Sequence, residues 1–168
     1  MVDHLPLAPE PPRPTRATLT LLVGRVTTIK LAYWAALTVA EAALPLVDRR
    51  PFAERFPLSI AIAVIASLVA LFWARTAARA PDRRAGLLPR SIPTIATTFA
   101  ATTVVASPAC LPLLILERER SLEACGVGTC HGEALLLWIA VLVVGTLAIP
   151  AVFAASLHTE GMARSPGN

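Results

Sequence analysis

Residues 57–74 read PLSIAIAVIASLVALFWA and contain no charged side chain. A helix over this block is about 27 Å long, close to the roughly 30 Å thickness of the hydrocarbon core of a bilayer. The block is apolar on every side rather than along one stripe, so such a helix needs lipid or protein all around it. The block therefore predicts a transmembrane helix.

Three further apolar blocks predict crossings at about residues 31–47, 92–116 and 134–157. Only 15% of the chain is charged, whereas a soluble domain carries about 25%. We therefore expect an all-α integral membrane protein with four transmembrane helices, in a single domain over residues 17–158. Residues 1–16 form a proline-rich tail, and residues 159–168 form a short second tail.

Residues 17–30, which precede the first crossing, have apolar side chains at helical spacing. Arg25 and Lys30 fall largely on the other side of this helix. The pattern is typical of an amphipathic helix lying at the membrane interface. If residues 17–47 instead form one helix, that helix is long and tilted. The sequence leaves both possibilities open.

The arginines between the blocks predict the orientation. Residues 75–91 contain five arginines and one acidic residue, Asp82. By the positive-inside rule this loop is cytoplasmic, and with four crossings both ends of the chain are cytoplasmic too. The loop 117–133 then lies on the outer side of a bacterial inner membrane. The basic residues flank apolar blocks and do not form a basic helix, so we expect no binding of nucleic acid.

The outer loop contains Cys125 and Cys130, followed by His131. On the oxidising side of the membrane, a disulfide between these cysteines is the simplest prediction, and it stabilises by about 2 kcal/mol. A covalent haem at Cys125, Cys130 and His131 is an alternative, although the spacing is longer than in C-x-x-C-H and the loop offers no second axial ligand. We expect no cofactor and no metal, since a disulfide removes both thiolates from a zinc-like set.

Glu41 is the acidic residue inside a predicted crossing. An intramembrane carboxylate is costly and is by default a functional candidate. We find no cationic partner for it at matching depth in another crossing, and no chain of titratable groups for a proton relay. We therefore expect Glu41 to be a packing or partner-contact carboxylate.

Small and hydroxyl side chains recur every fourth residue in two of the crossings. Such rows let helix backbones approach closely and form hydrogen bonds between helices. The predicted packing residues are Ser59, Ala63, Ser67, Thr94, Thr98 and Thr102.

Catalytic motifs are absent from the sequence, and the loops are too short to build an active site. We therefore expect a non-catalytic accessory or structural subunit that packs against a larger membrane complex, such as a respiratory or other energy-transducing one. The alternative is a thiol-redox or transport protein that uses Cys125 and Cys130 or Glu41. Its outline resembles that of the membrane thiol oxidases that form disulfides, but residues 48–56 contain no cysteine for the first step.

Overall fold

The computed structural model describes residues 16–50, 52–79, 96–108 and 131–163, and all of them except 48–50 are helical. The predicted tails and most of the loops lie outside the described residues, as do Thr94, Cys125 and Cys130. The helices are α1 (Arg16–Val47), α2 (Phe52–Arg79), α3 (96–108), α4 (His131–Val143), a π-helical turn (Val144–Ala148) and α5 (Ile149–Ala163).

Among the described residues, three helical spans are long and apolar enough to cross a membrane: Leu19–Val47, Glu54–Arg79 and Leu135–Glu160. The third comprises most of α4, the π-helical turn and α5 in one rod. The all-helical character predicted from the sequence is confirmed over the described residues, and these spans are compatible with a multi-pass membrane protein. The described part of α3 lies inside the predicted crossing 92–116.

Helix α1 joins the amphipathic segment 17–30 and the predicted first crossing in one continuous helix. Its 29-residue apolar span is about 43 Å long, which exceeds the hydrocarbon thickness of a bilayer, so a crossing along its whole length requires a tilt. The sequence predicts Lys30 on the polar side of an amphipathic helix, but in the structure this side chain is fully buried. Its side of α1 is covered by the rod that contains the π-helical turn.

Side-chain contacts between helices indicate the relative directions of α1, α2 and α5. Arg25 reaches Ala77, Tyr33 reaches Ser67 and Glu41 reaches Ser59, so α1 and α2 are antiparallel. Arg79 and Glu160, near the last residues of α2 and α5, form an ion pair at 3.3 Å. The rod ending in α5 therefore runs parallel to α2.

Large side chains of α1 fill the space against small ones of α2. The alanines of α2 let the backbones approach, and the bulkier residues of α1 and α5 occupy the volume between them. The buried cluster includes Leu22, Val26, Ile29, Tyr33, Trp34 and Leu37 of α1, Ala63, Ala70, Ala74 and Ala78 of α2, Val141 of α4, and Ile149 and Phe153 of α5.

A tight connection follows α1. Asp48 accepts hydrogen bonds from the Arg50 side chain and from the Arg50 backbone N–H. These hydrogen bonds hold the pKa of Asp48 at about 2, below its ordinary value of 3.8. These exposed contacts lie in the three-residue stretch 48–50 that follows α1.

The π-helical turn Val144–Ala148 interrupts the third span, and the Ile149 N–H donates to the carbonyl of Val144. A proline inside a helix lacks the N–H of a regular turn, and its ring crowds the carbonyl four residues earlier. Pro150 therefore accounts for the irregular turn just before it. Gly145 within this turn is buried against the Trp34 indole.

Substitution of Gly145 by alanine is expected to destabilise the protein. The added Cβ would lie 2.7 Å from Trp34 Cζ2, and the fully packed indole has little room to move. We expect a loss of about 1–3 kcal/mol, typical of overpacking. Thermal denaturation in one detergent measures it.

Gly24→Ala is the matched control, because a Cβ at Gly24 would meet nothing within 4 Å. This variant should be neutral or slightly more stable, by up to about 1 kcal/mol from helix propensity. Equal effects of the two substitutions would contradict the close approach of Gly145 to Trp34.

Candidate functional site

Besides Arg25, three polar side chains of α1 bond to a neighbouring helix: Lys30, Tyr33 and Glu41. We call these three residues the polar seam. In a bilayer, a polar group without a hydrogen-bond partner costs several kcal/mol, since no water replaces the partner. Each residue of the seam has a polar partner on a facing helix.

Lys30 meets the irregular turn of the third span. Its Nζ donates to the Thr146 carbonyl at 3.4 Å, over a separation of 116 residues along the chain. In a regular helix the N–H of residue 150 would donate to this carbonyl, but Pro150 has no N–H. The amino group of Lys30 thus takes the place of the donor that Pro150 removes.

Tyr33 lies one turn further along α1. Its hydroxyl is 3.1 Å from Ser67 Oγ, and Ser67 in turn donates to the Ala63 carbonyl at 2.6 Å. The Tyr33 and Trp34 rings pack edge to face, with centroids 5.5 Å apart. Such pairs fix the orientation of both rings. The hydrogen bond therefore joins α1 to α2 near the middle of both helices.

Glu41 lies nearest to the connection between α1 and α2. Its Oε2 accepts a hydrogen bond from Ser59 Oγ at 3.2 Å, and the positive charge of Arg55 acts on the carboxylate. The prediction for Glu41 therefore missed a cationic group on the neighbouring helix, although no ion pair joins these two described side chains. Arg55 belongs to α2, which begins at Phe52, and it is buried one turn before Ser59.

An early start of α2 explains this error. Glu54 lies in the first turn, where a negative charge interacts favourably with the helix dipole. The helix therefore begins before the apolar block at 57. Arg55, which the sequence assigns to an exposed loop, is drawn into the helix and buried.

Apolar residues interrupt the seam. Leu37 and Ala63 are buried between the Tyr33 and Glu41 levels. Lys30 and Glu41 are separated by about 16 Å along the helix axis, at 1.5 Å per residue. A direct proton transfer needs groups within hydrogen-bonding distance. The seam is therefore a set of separate helix-to-helix contacts rather than a continuous relay.

Of the predicted packing residues in the described segments, Ser67 is half-buried and the others are buried. Ser59 and Ala63 are buried in the interface with α1, and Thr98 and Thr102 are buried on α3. Thr102 also donates to the Phe99 carbonyl within its own helix. His131 is the first residue of α4, and the structure does not describe its side chain.

Metal binding finds no support in the described segments: none of their histidine, cysteine, aspartate and glutamate side chains form a group of three or more. The predicted cysteine pair lies outside these segments. The predictions of a disulfide and of the absence of a cofactor therefore stay predictions.

The sequence contained a signal for the contact between Lys30 and Thr146. Pro150 lies four residues after Thr146 inside an apolar span, which implies a carbonyl without its usual donor. Lys30 lies inside an apolar helix, which implies a donor that needs an acceptor. Pairing the two required the three-dimensional arrangement of α1 and the third span.

Comparisons of the chain with protein families, with curated protein sequences and with solved structures found no match. The functional assignment therefore depends on the residues and contacts described above.

Pro150 and Lys30 are expected to be energetically coupled. A proline inside a helix costs about 3 kcal/mol relative to alanine, so Pro150→Ala alone should favour a regular helix. A regular helix would also occupy the Thr146 carbonyl and remove the acceptor of Lys30. We expect Pro150→Ala to be more stabilising in a Lys30→Met background than in the natural chain, by about 1–3 kcal/mol.

Thermal denaturation of the two single variants and the double variant measures this coupling. The control cycle combines Pro150→Ala with Tyr33→Phe, which removes a hydroxyl bonded to Ser67 rather than to Thr146. The control pair should be additive within about 0.5 kcal/mol. Additivity of the Lys30 and Pro150 pair would show that the two residues act independently and would refute their coupling.

Proposed function

We propose that this chain is a non-catalytic, multi-pass protein of the bacterial inner membrane that serves as an accessory or structural subunit of a larger membrane complex. The observation that carries the proposal is that the polar residues of the seam bond to neighbouring helices of the same chain. Lys30, Tyr33 and Glu41 each hold α1 to a neighbouring helix. Intramembrane polar residues usually mark a functional path, but here their contacts serve to assemble the helices.

The directions of the helices support four crossings. The parallel directions of α2 and of the rod ending in α5 favour a chain that returns across the membrane between them. Helix α3 lies within that stretch and inside the predicted crossing 92–116. We propose that α3 belongs to this crossing, the third of the four in chain order. The arginines of residues 75–91 then favour cytoplasmic ends.

The outward faces of the helices support a surface covered by lipid and by a partner protein. Consecutive turns of α2 expose large apolar side chains, with Phe72 the most exposed at 68%. A face of this kind is stable only when lipid or protein covers it. We propose that the partner contacts include the proline-rich tail 1–16 and the outer loop 117–133. A disulfide between Cys125 and Cys130 would hold that loop in shape.

A transport protein that uses Glu41 is the competing function. The buried Lys30 and the half-buried Glu41 in one span favour it, because ionisable residues inside a membrane are rare unless they are used. The apolar residues between them count against a relay. The two functions differ in what Glu41→Gln does: a subunit keeps its assembly, whereas a transporter loses its flux.

The test is purification of the tagged full-length chain from native membranes in a mild detergent, followed by mass spectrometry. We expect a defined set of membrane proteins to co-purify in fixed ratio, and Glu41→Gln to leave that set unchanged. The purified chain in liposomes should give no proton flux that depends on Glu41. A stable isolated monomer without partners, or a flux abolished by Glu41→Gln, would refute the subunit role.

A further inference from the structure

A groove of about 370 Å³ lies between the first half of α1 and the last third of α2. This volume falls in the range of about 300–1,000 Å³ that is usual for small-molecule sites. Its walls include Leu21, Gly24, Arg25 and Ile29 of α1 and Trp73 and Ala77 of α2.

The groove is open in the middle because Gly24 has no side chain. A Cβ at Gly24 would meet no heavy atom within 4 Å. The hydroxyls of Thr20 and Thr28, which also line the groove, donate to the carbonyls of Arg16 and Gly24 in their own helix. The walls therefore offer mainly apolar surface to an occupant.

Arg25 is the charged residue of this lining. Its Nη1 donates to the Ala77 carbonyl across the groove at 3.3 Å, which holds the guanidinium at the groove wall. Ala77 lies two residues before Arg79, the last residue of α2. The positive charge is therefore close to the level at which the helices leave the membrane.

The same end of the helices is rich in positive charge. Arg16, Arg75 and Arg79 lie in the first turn of α1 and the last two turns of α2. Glu160, the acidic residue of α5 at this end, is bound to Arg79 at 3.3 Å. Among the described residues at this end of the helices, the charge is mainly positive, which favours an anionic occupant.

Trp73 lies four residues from Ala77, about 6 Å deeper along the helix. Tryptophan is enriched where the polar and apolar parts of a bilayer meet. The positive charge of the groove thus lies at the level of Gly24 and Arg25, and the deeper part of the groove, toward Ile29 and Trp73, is apolar and lies beside an indole ring. A phospholipid has the same order of chemistry, with a phosphate above an acyl chain.

We propose that this groove binds an anionic phospholipid, with its phosphate against Arg25 and one acyl chain along Ile29 and Trp73 in the deeper part of the groove. Basic pockets between transmembrane helices are suited to anionic headgroups. The groove opens at the membrane surface, where lipid is the abundant amphipathic ligand. This inference requires only that α1 and α2 cross a membrane, and it does not depend on the proposed subunit role.

Native mass spectrometry of the delipidated full-length protein tests the proposal. The protein is titrated with phosphatidylglycerol and, separately, with phosphatidylcholine that has the same acyl chains. We expect preferential binding of one phosphatidylglycerol molecule. Arg25→Gln should weaken that binding about fivefold, the effect of one basic residue near an anionic headgroup, and should leave phosphatidylcholine binding unchanged.

Two variants test whether the apolar part of the groove holds the acyl chain. Gly24→Leu and Ala77→Leu each place a larger side chain in the groove from opposite walls, so each should lower the binding of both lipids. Using both guards against a folding defect in one, and thermal denaturation verifies that each variant is folded. The matched control is Arg50→Gln, an exposed arginine beyond the other end of α1, which should bind as the natural chain does.

Three results would overturn the proposal. Both folded groove-filling variants could bind phosphatidylglycerol as the natural chain does. Arg50→Gln could weaken binding as much as Arg25→Gln, which would mean that overall charge rather than the groove attracts the lipid. A photo-crosslinking residue in place of Leu21, a groove residue, could capture a second protein in native membranes instead of a lipid.

Discussion

The hydrogen bond from Lys30 Nζ to the Thr146 carbonyl is the contact on which the rest of this arrangement depends. Inside a bilayer neither the lysine amino group nor the carbonyl that Pro150 deprives of its usual donor finds water as a substitute. Each group is costly when it has no partner, and this contact gives the carbonyl a donor. It joins α1 to the third span next to the point where Gly145 approaches the Trp34 ring.

The other two residues of the seam, Tyr33 and Glu41, also need polar partners inside the membrane, and they find them on α2. Tyr33 bonds to Ser67 and Glu41 bonds to Ser59. Both contacts agree with the antiparallel alignment of α1 and α2 that the contact between Arg25 and Ala77 indicates at the other end of the helix pair. Apolar packing between membrane helices has little direction, since lipid competes for the same surface. The polar contacts therefore set the register, while the alanines of α2 set how closely the helices approach.

Much of the fold could be predicted from the apolar blocks, because a helix through lipid requires an uninterrupted run of about 20 apolar residues. The block at 57–74 lies within α2, and the row of Ser59, Ala63 and Ser67 could be recognised from its spacing. The burial of Lys30 and Arg55 could not, since a charged side chain next to an apolar block is usually at the surface. Their burial depends on partners elsewhere: the Thr146 carbonyl lies 116 residues from Lys30, and Arg55 acts on Glu41 of the preceding helix. Only the folded arrangement supplies these partners.

The central claim is that α1 crosses the membrane as one helix with Lys30 inside the protein. Single cysteines at positions 16, 31 and 50, in a chain whose native cysteines are replaced by serine, test it through labelling with a membrane-impermeant maleimide. Leu31 is next to Lys30 but on the outward face, so its replacement leaves the seam intact. The account predicts labelling of positions 16 and 50 from opposite sides of the membrane and no labelling of position 31 from either side. Labelling of position 31 from the same side as position 16 would place residues 17–30 at the interface and contradict the account.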